Sequence, residues 1–350
     1  MSEALQELAM FFVQLVLVAV VVGVLASHLL RRRDDGGAPG KLQLDDLNAQ
    51  YDRRQKQLEK SVENQEKSEG WRKLTSWLKK RRNHNNSQNM NQAEDEAEAR
   101  VWVLDFNGDM KASSAGRLGE EISALLGVAS SNDEVVLRLE SPGGLVHAYG
   151  HAAAELDRLK QAGISTTVCV DRVAASGGYL MACGADKLIA APFAVLGSIG
   201  VIAQVPNIHR LLKRHDIDVE LHTAGRYKRT LTLMGENDEA GREKFQEDLE
   251  VVHQLFKRYV AERRPALDIE QVASGESWHG SDALSLGLID ELGTSEQYLI
   301  DKLNNSRVTA VRLVERSTLA SRLGMAVSLG VERGAQRVIE SLDASGWHKR

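Results

Sequence analysis

The sequence has little cysteine and no excess of positive charge. Only two of its 350 residues are cysteines, and Cys169 and Cys183 lack the spacing of metal-ligand pairs. Each lies in an apolar stretch, where a small, buried and unpaired residue is the usual outcome. The formal net charge of -5 gives no sign of the basic surface that nucleic-acid binding requires. The composition therefore indicates neither a cysteine-bound metal nor a nucleic-acid partner.

Charged residues are also absent from one long apolar segment. From Ala9 to Leu30 no residue is charged, and about 20 apolar residues suffice for a helix to cross a bilayer core. A cleaved signal would begin with basic residues, whereas residues 1–8 carry Glu3 and Glu7. The segment 9–30 therefore predicts a retained transmembrane anchor that follows a short N-terminal tail.

The side of the membrane is read from the charges beside the anchor. Arg31, Arg32 and Arg33 follow it directly, and the positive-inside rule would place the residues after them in the cytoplasm.

A second uncharged run covers Leu188–Ile208. Proline and glycine interrupt this run, which favours buried strands and turns over a second membrane span. These residues are Pro192, Gly197, Gly200 and Pro206.

Residues 31–99 are rich in charge and have few apolar positions. A near-heptad series predicts a helical stalk or a short coiled coil; its members are Leu44, Leu47, Tyr51 and Leu58. Trp71, Leu74 and Trp77 share a helical face among basic residues, so this helix either lies on an anionic membrane or packs on the domain. Residues 84–98 are polar or acidic and predict a flexible linker.

Residues 100–307 alternate strand-like and helix-like stretches and predict an α/β domain. Val101–Phe106 and Val135–Leu139 have the composition of short buried strands, with a helix between them over Gly116–Gly127. In residues 308–350, apolar positions recur at helical spacing from Leu319 to Leu342. We expect this C-terminal helical segment to dock on a neighbouring subunit.

Two glycine-rich turns in the α/β domain are candidates for chemistry. Ser141-Pro142-Gly143-Gly144 follows a predicted strand, and its glycines allow backbone N–H groups to approach a ligand closely. Ser176 lies in Ala174-Ala175-Ser176-Gly177-Gly178-Tyr179, between the strand 165–170 and a helix that reaches Cys183. The Gly177 N–H would stabilise negative charge there. Taken alone, a serine beside glycines is more typical of helix capping.

Four strings, in order along residues 100–300, resemble the motifs of the signal peptide peptidase A family, and the anchor with one catalytic domain resembles its SohB branch. They are Ser141-Pro142-Gly143-Gly144, Ala175-Ser176-Gly177-Gly178-Tyr179, Gly197-Ser198-Ile199-Gly200-Val201 and Gly225-Arg226-Tyr227-Lys228. From residues alone, the third string is interpreted as a strand. The resemblance implies a Clp protease/crotonase-like α/β fold with an N-terminal transmembrane helix. It also implies a ring-like or dome-like homo-oligomer whose active sites combine residues of neighbouring subunits.

The resemblance also implies the role of each site residue. Ser176 would be the nucleophile and Lys228 the general base, with oxyanion donors at Gly177 and at Gly143 or Gly144; no metal or cofactor is implied. Family members often have serine directly after the lysine, whereas Arg229 follows Lys228 here. Ser198 and Thr230 therefore both stay as candidates for the hydroxyl that orients the lysine.

A lysine base must be neutral, although the pKa of a free lysine is about 10.4. Apolar neighbours and like charges both lower that pKa. We expect the apolar neighbours to be Leu221, Tyr227, Leu231 and Leu233, and the like charges to be Arg226 and Arg229.

Three other functions stay open at this stage. A Ser/His/Asp hydrolase would use one of the histidines after Ser176, although Ala174 replaces the first glycine of the nucleophile-elbow pattern. A crotonase-like acyl-CoA enzyme would use the same backbone donors to hold an enolate. An inactive membrane scaffold would keep the fold alone. His147 and His151 share a helix face but lack the glutamate of a zinc motif.

For substrate and location, the resemblance implies cleavage of unfolded or signal-peptide-like polypeptides beside small and apolar residues. It implies a single-pass protein of the bacterial inner membrane with its catalytic domain in the periplasm, against the positive-inside rule.

Overall fold

The computed structural model describes residues 40–68 and 99–314. The predicted anchor, the helix around Trp71 and the C-terminal helix from Leu319 lie outside the described residues. The chain divides into two compact units, Met1–Gln43 with Leu313–Arg350, and Leu44–Arg312. Only residues 40–43 and 313–314 of the first unit are described. The second unit holds the candidate site.

Helices and strands alternate through most of the second unit, as the apolar pattern predicts. In the described residues the elements are β1 (Lys41–Asp46), α1 (Leu47–Ser68), β2 (Arg100–Asn107), α2 (Ala115–Leu126), β3 (Glu134–Glu140), α3 (Val146–Gln161), β4 (Ser165–Val170), β5 (Val173–Ala175), α4 (Gly177–Ala182), β6 (Lys187–Ala190), β7 (Val195–Gly197), α5 (His209–Arg214), α6 (Glu239–Arg263), α7 (Ile269–Val272), β8 (Ser277–His279), α8 (Gly280–Ser285), β9 (Glu291–Leu292), α9 (Ser295–Leu303) and β10 (Arg307–Val314).

Two sheets organise these elements. The larger is seven-stranded, with the order β1-β10-β2-β3-β4-β6-β9, and its pairs from β10 to β9 are parallel. The smaller has the order β5-β7-β8; β5 and β7 are parallel, and β8 runs antiparallel to β7. The predicted α/β class is confirmed, and the large parallel sheet fits a Clp protease-like fold.

Both faces of the large sheet are covered. Alternate residues of a strand point to opposite faces of the sheet, and in β2 and β3 they belong to two different hydrophobic clusters. Leu104 and Leu137 belong to the larger hydrophobic cluster, which includes residues of α2 and α3. Val103 and Val136 belong to a second cluster with Leu299 of α9. Cys169 and Cys183 are buried and unpaired, as expected, and burial raises the pKa of each thiol to about 12.

The second uncharged run contains most of β6 and all of β7, in agreement with the prediction of buried strands. The interpretation of Gly197–Val201 as a strand is wrong, because β7 ends at Gly197. Gly197 has φ 87° and Ser198 has φ 52°, and two consecutive positive values turn the chain out of a strand. No helix within residues 40–68 and 99–314 is both long and apolar enough to cross a membrane.

Two terminal segments also differ in detail from the sequence pattern. Leu44 of the heptad series lies in β1, and the helix begins only at Leu47. Strand β10 occupies the first residues of the segment that the sequence assigns to the C-terminal helical region.

A charge cluster joins three strands of the large sheet. Asp105 of β2 accepts two hydrogen bonds from Arg138 of β3, at 2.6 and 2.9 Å, and a third from Arg312 of β10 at 3.0 Å. Burial by itself would raise the pKa of Asp105, but these guanidinium groups more than offset it and hold that pKa below its usual value.

We predict that Asp105→Asn lowers the free energy of unfolding at pH 7. The folded-state pKa of Asp105 lies below the unfolded value of about 3.9, so its contribution is complete above that value and is lost as pH falls through the folded-state pKa. The difference between variant and wild type should therefore shrink in acid. Denaturant unfolding at pH 7 and at successively lower pH checks this.

Asp218→Asn is the matched control, because Asp218 is exposed and, within residues 40–68 and 99–314, its one ion pair is with Lys213, so we expect it to change stability little. A pH-independent effect of Asp105→Asn, or none at pH 7, would contradict the prediction.

Candidate active site

The turn after β3 lies alongside β5. Ser141 forms an isolated parallel bridge with Ala174: the Ser141 N–H donates to the Val173 carbonyl at 2.8 Å, and the Ala175 N–H donates to the Ser141 carbonyl at 3.0 Å. This pairing carries the glycines after Ser141 to the end of β5, where Ser176 follows.

Ser176 lies at the turn between β5 and α4, as the sequence predicts, and its backbone is strained. Its φ is 52° and its ψ is -119°, a region that residues with a side chain rarely adopt, at a cost of about 1 to 3 kcal/mol. Its N–H donates to the Gly197 carbonyl of β7 at 2.8 Å. A strained serine held between a strand and a helix is the arrangement of an exposed nucleophile.

Gly143 lies against the Ser176 side chain and the backbone of Ala175 and Gly177. With φ 88°, a Cβ on Gly143 would lie 2.8 Å from the Ser176 Cβ and 2.8 Å from the Gly177 nitrogen. Only glycine fits at this approach. The structure thus brings together Ser176, Gly177 and the Gly143 turn.

The N–H groups of this site differ in what they bind. The Gly143 N–H donates to the Ser141 Oγ at 3.1 Å. The N–H groups of Gly144 and Gly177 have no acceptor among the described residues; for Gly177, the first residue of α4, this is general for an N–H in the first turn of a helix. Unpaired amides beside a serine are suited to hold a developing oxyanion.

Tyr149 lies beneath the site and is absent from the sequence-based predictions. Its side chain is fully buried, its hydroxyl is 2.6 Å from the Ser141 Oγ, and burial raises the pKa of that hydroxyl. It therefore stays protonated at neutral pH. The sequence does carry a local indication of its importance, because Tyr149 lies in an alanine-rich helical stretch. A buried tyrosine hydroxyl needs a hydrogen-bond partner.

The two candidates for orienting the lysine lie in different places. Ser198 follows Gly197, whose carbonyl accepts the Ser176 N–H, and the Ser198 N–H donates to the Glu276 carbonyl at 2.6 Å. Thr230 lies in the segment that precedes α6, and its carbonyl oxygen is close to Gly241 in the first turn of that helix. The hydrogen bond between Ser176 and Gly197 places the Ser198 backbone beside the strained serine.

Lys228 is exposed, in a segment without helix or strand. Within the part of the chain that the structure describes, its ammonium forms no hydrogen bond or ion pair, either with Ser176 or with another residue. Leu221 and Tyr227 are each 52% exposed and Leu233 is 44% exposed. The expectation that these neighbours desolvate Lys228 therefore does not hold within a single chain.

Three of the histidines after Ser176 have other partners. His209 lies 3.3 Å from the Met234 carbonyl, His222 3.1 Å from Glu220 and His279 3.3 Å from the Phe193 carbonyl. In residues 40–68 and 99–314, no histidine ring forms a hydrogen bond with the Ser176 hydroxyl. The geometry does not favour a Ser/His/Asp site.

A cavity of about 200 Å³ lies at the carboxyl ends of β2, β3 and β4, where open α/β sheets often bind ligands. Its charged groups are already paired: Asp105 with Arg138, Glu140 with Arg172 and Asp171 with Ser295. Since Ser176 and Gly143 do not line it, the candidate site stays at the β5–α4 turn.

Comparison with known proteins gives the family of the chain. The profile of peptidase family S49 matches residues 158–308, and that of its N-terminal region matches residues 3–156. A protein of Haemophilus influenzae, described as a probable protease SohB, is 47% identical over 313 residues, which cover 89% of this chain and 88% of the relative.

Two further relatives extend the comparison. A probable protease SohB of Buchnera aphidicola subsp. Acyrthosiphon pisum is 51% identical over 229 residues, which cover 65% of this chain and 68% of the relative. A putative signal peptide peptidase SppA of Enterococcus faecium is 28% identical over 183 residues, 52% of this chain and 53% of the relative. On the likeness along most of its length, this chain belongs to peptidase family S49, within which it is similar to the SohB proteins.

Proposed function

We propose that this chain is a membrane-bound serine endopeptidase that uses Ser176 as nucleophile and Lys228 as general base. One observation carries the proposal: Ser176 is held at a positive φ directly against Gly143 and the unpaired N–H of Gly177. Membership of a peptidase family supports the class of reaction.

In this mechanism the Ser176 Oγ attacks the carbonyl carbon of the scissile peptide bond, and its proton passes to the neutral amine of Lys228. The carbonyl oxygen becomes an oxyanion that accepts hydrogen bonds from the Gly177 N–H and from an amide of the Gly143-Gly144 turn. Lys228 then donates its proton to the leaving nitrogen as the C–N bond breaks. Water, deprotonated by Lys228, hydrolyses the acyl-enzyme and restores Ser176.

The exposure of Lys228 favours an active site completed in a homo-oligomer. An ammonium cannot accept a proton, and removal of water from an amine favours its neutral form. The segment around it also exposes several apolar side chains, and such a patch is typical of a protein–protein contact. They are Ile202, Leu211, Ile217, Val219, Leu221, Tyr227, Leu233 and Met234. A second copy that covers this patch would remove water from Lys228.

The proposed substrates are unfolded or signal-peptide-like polypeptides, which bind as an extended strand so that a carbonyl reaches Ser176. The proposed location is the bacterial inner membrane, with residues 9–30 as the anchor and the catalytic domain in the periplasm. Neither metal nor cofactor takes part in the proposed steps. Ser198 is the preferred residue to orient Lys228, because its backbone adjoins that of Ser176.

We predict that Ser176→Ala and Lys228→Ala each abolish cleavage of a synthetic signal peptide by the detergent-solubilised protein. The first removes the nucleophile and the second its base. Lys213→Ala is the matched control, since Lys213 is another exposed lysine of the same region, and it should cleave as wild type does. Equal cleavage by all variants would contradict the proposal and point to another site.

Gly143→Ala tests the turn. The added Cβ would lie 2.7 Å from the Ala175 carbonyl and 2.8 Å from the Gly177 nitrogen, so we expect it to displace the oxyanion donors and to lower kcat by about 100-fold or more. Peptide hydrolysis at saturating substrate measures this.

Gly150→Ala is its control, because a Cβ there meets nothing within 4 Å. Alanine inside a helix should raise stability by about 0.5 to 1 kcal/mol and leave cleavage unchanged. A Gly143→Ala protein that cleaves as fast as Gly150→Ala would refute the role of the turn.

Mixed oligomers test whether two subunits share each site. If Ser176 and Lys228 of one site come from different subunits, co-expression of Ser176→Ala with Lys228→Ala chains should restore about a quarter of wild-type cleavage, because random assembly leaves that share of sites intact. Mixing the two variants without co-assembly is the control. Co-assembled oligomers without activity would place both residues of a site in one chain.

A further inference from the structure

A buried chain of hydroxyl groups lies beneath the Gly143 turn. The Tyr149 hydroxyl donates to the Asp109 carbonyl at 2.8 Å and lies 2.6 Å from the Ser141 Oγ. A carbonyl oxygen can only accept, so the single phenolic proton is used on Asp109. The Ser141 hydroxyl must therefore donate to Tyr149.

This direction fixes what the Ser141 oxygen presents to the turn. Because its proton points to Tyr149, a lone pair is free to accept the Gly143 N–H at 3.1 Å. The chain runs in one direction, from the Gly143 N–H through Ser141 and Tyr149 to the Asp109 carbonyl. Both side chains are fully buried, so water does not compete for these bonds.

The Tyr149 ring also supports the opposite side of the site. A Cβ on Gly177 would lie 2.4 Å from the Tyr149 Cγ, and a Cβ on Gly178 would lie 2.5 Å from the Ser141 carbonyl oxygen. The start of α4 therefore rests on Tyr149 and Ser141. The Tyr149 side chain thus touches Gly177 directly and reaches the Gly143 turn through the Ser141 hydroxyl.

We infer that Tyr149 is a positioning residue for the oxyanion site: through the Ser141 hydroxyl and through contact with Gly177 it holds the two donor segments at a fixed separation. The inference rests on the proposed role of Ser176. Tyr149 does not itself touch the substrate. Its contribution should therefore appear in the rate of the chemical step and in the affinity for a tetrahedral adduct, rather than in substrate binding.

Tyr149→Phe in the full-length protein tests this, because it removes the hydroxyl and keeps the ring. With a fluorogenic peptide that has small and apolar residues beside the cut, we expect kcat to fall about tenfold with KM within about twofold. The inhibition constant of a peptidyl boronate, which forms a tetrahedral adduct on serine, should rise about tenfold.

Tyr298→Phe is the matched control. Tyr298 also donates its hydroxyl to a side chain, that of the partly buried Glu134, at 2.6 Å, but it lies on α9 and not at the Gly143 turn. We expect this variant to lose comparable thermal stability and to keep wild-type kcat and boronate affinity. Equal values for Tyr149→Phe and Tyr298→Phe would overturn the inference.

Ser141→Ala gives an independent test, which can be carried out even if Tyr149→Phe unfolds below the assay temperature. It breaks the same chain at its other end and should show the same loss of kcat, and the double variant should be no slower than Ser141→Ala. A wild-type kcat in Ser141→Ala, or losses that multiply in the double variant, would overturn the inference.

Ser176→Ala separates this inference from the proposed function. If Ser176→Ala cleaves as fast as wild type, both fail. If it is inactive while Tyr149→Phe keeps wild-type kcat, only the role of Tyr149 fails.

Discussion

The candidate site depends on one short backbone pairing, between Ser141 and β5. The two hydrogen bonds of this bridge bring a turn from the large sheet to the first residue after a strand of the small sheet. Without them, Gly143 would not touch Ser176, and neither the strained backbone of the serine nor the close approach of glycine to the Gly177 nitrogen would be held. Strain of this kind persists only where the surrounding structure imposes it.

The same constraint explains why small and buried polar residues cluster around the turn. Gly143, Gly177 and Gly178 leave no room for a side chain, since an added Cβ on any of them would lie within 3 Å of a neighbouring atom. Backbone polar groups that are shielded from water need hydrogen-bond partners. The Ser141 hydroxyl is the partner of the Gly143 N–H, and the Tyr149 hydroxyl is the partner of the Asp109 carbonyl. Ser141 and Tyr149 thus take part in both the close packing and the hydrogen bonds of this region.

The sequence predicts much of this architecture because the signals are local. The strand over Ser165–Val170 agrees at both ends, and the turn at Ser176 follows from glycines between a strand and a helix. Apolar runs and glycine-rich turns can be recognised from neighbouring residues alone.

The features that the sequence misses depend on contacts between residues that are far apart in the chain. Strand β7 ends at Gly197, where the Trp278 ring leaves no room for a Cβ. The hydrogen-bond partner of Tyr149, the Asp109 carbonyl, is 40 residues away in the sequence, and no sequence pattern indicates it. Apolar composition near Lys228 does not desolvate it, because the side chains of Leu221, Tyr227 and Leu233 are themselves exposed.

The central claim is that the strained Ser176 is the nucleophile. The most direct measurement is to treat the full-length protein with a fluorophosphonate, which reacts with activated serines, and to locate the adduct by peptide mass spectrometry. The account predicts stoichiometric modification of Ser176, with loss of peptide cleavage in proportion to labelling. An adduct on another serine that accompanies loss of activity, or full activity after Ser176 is modified, would contradict it.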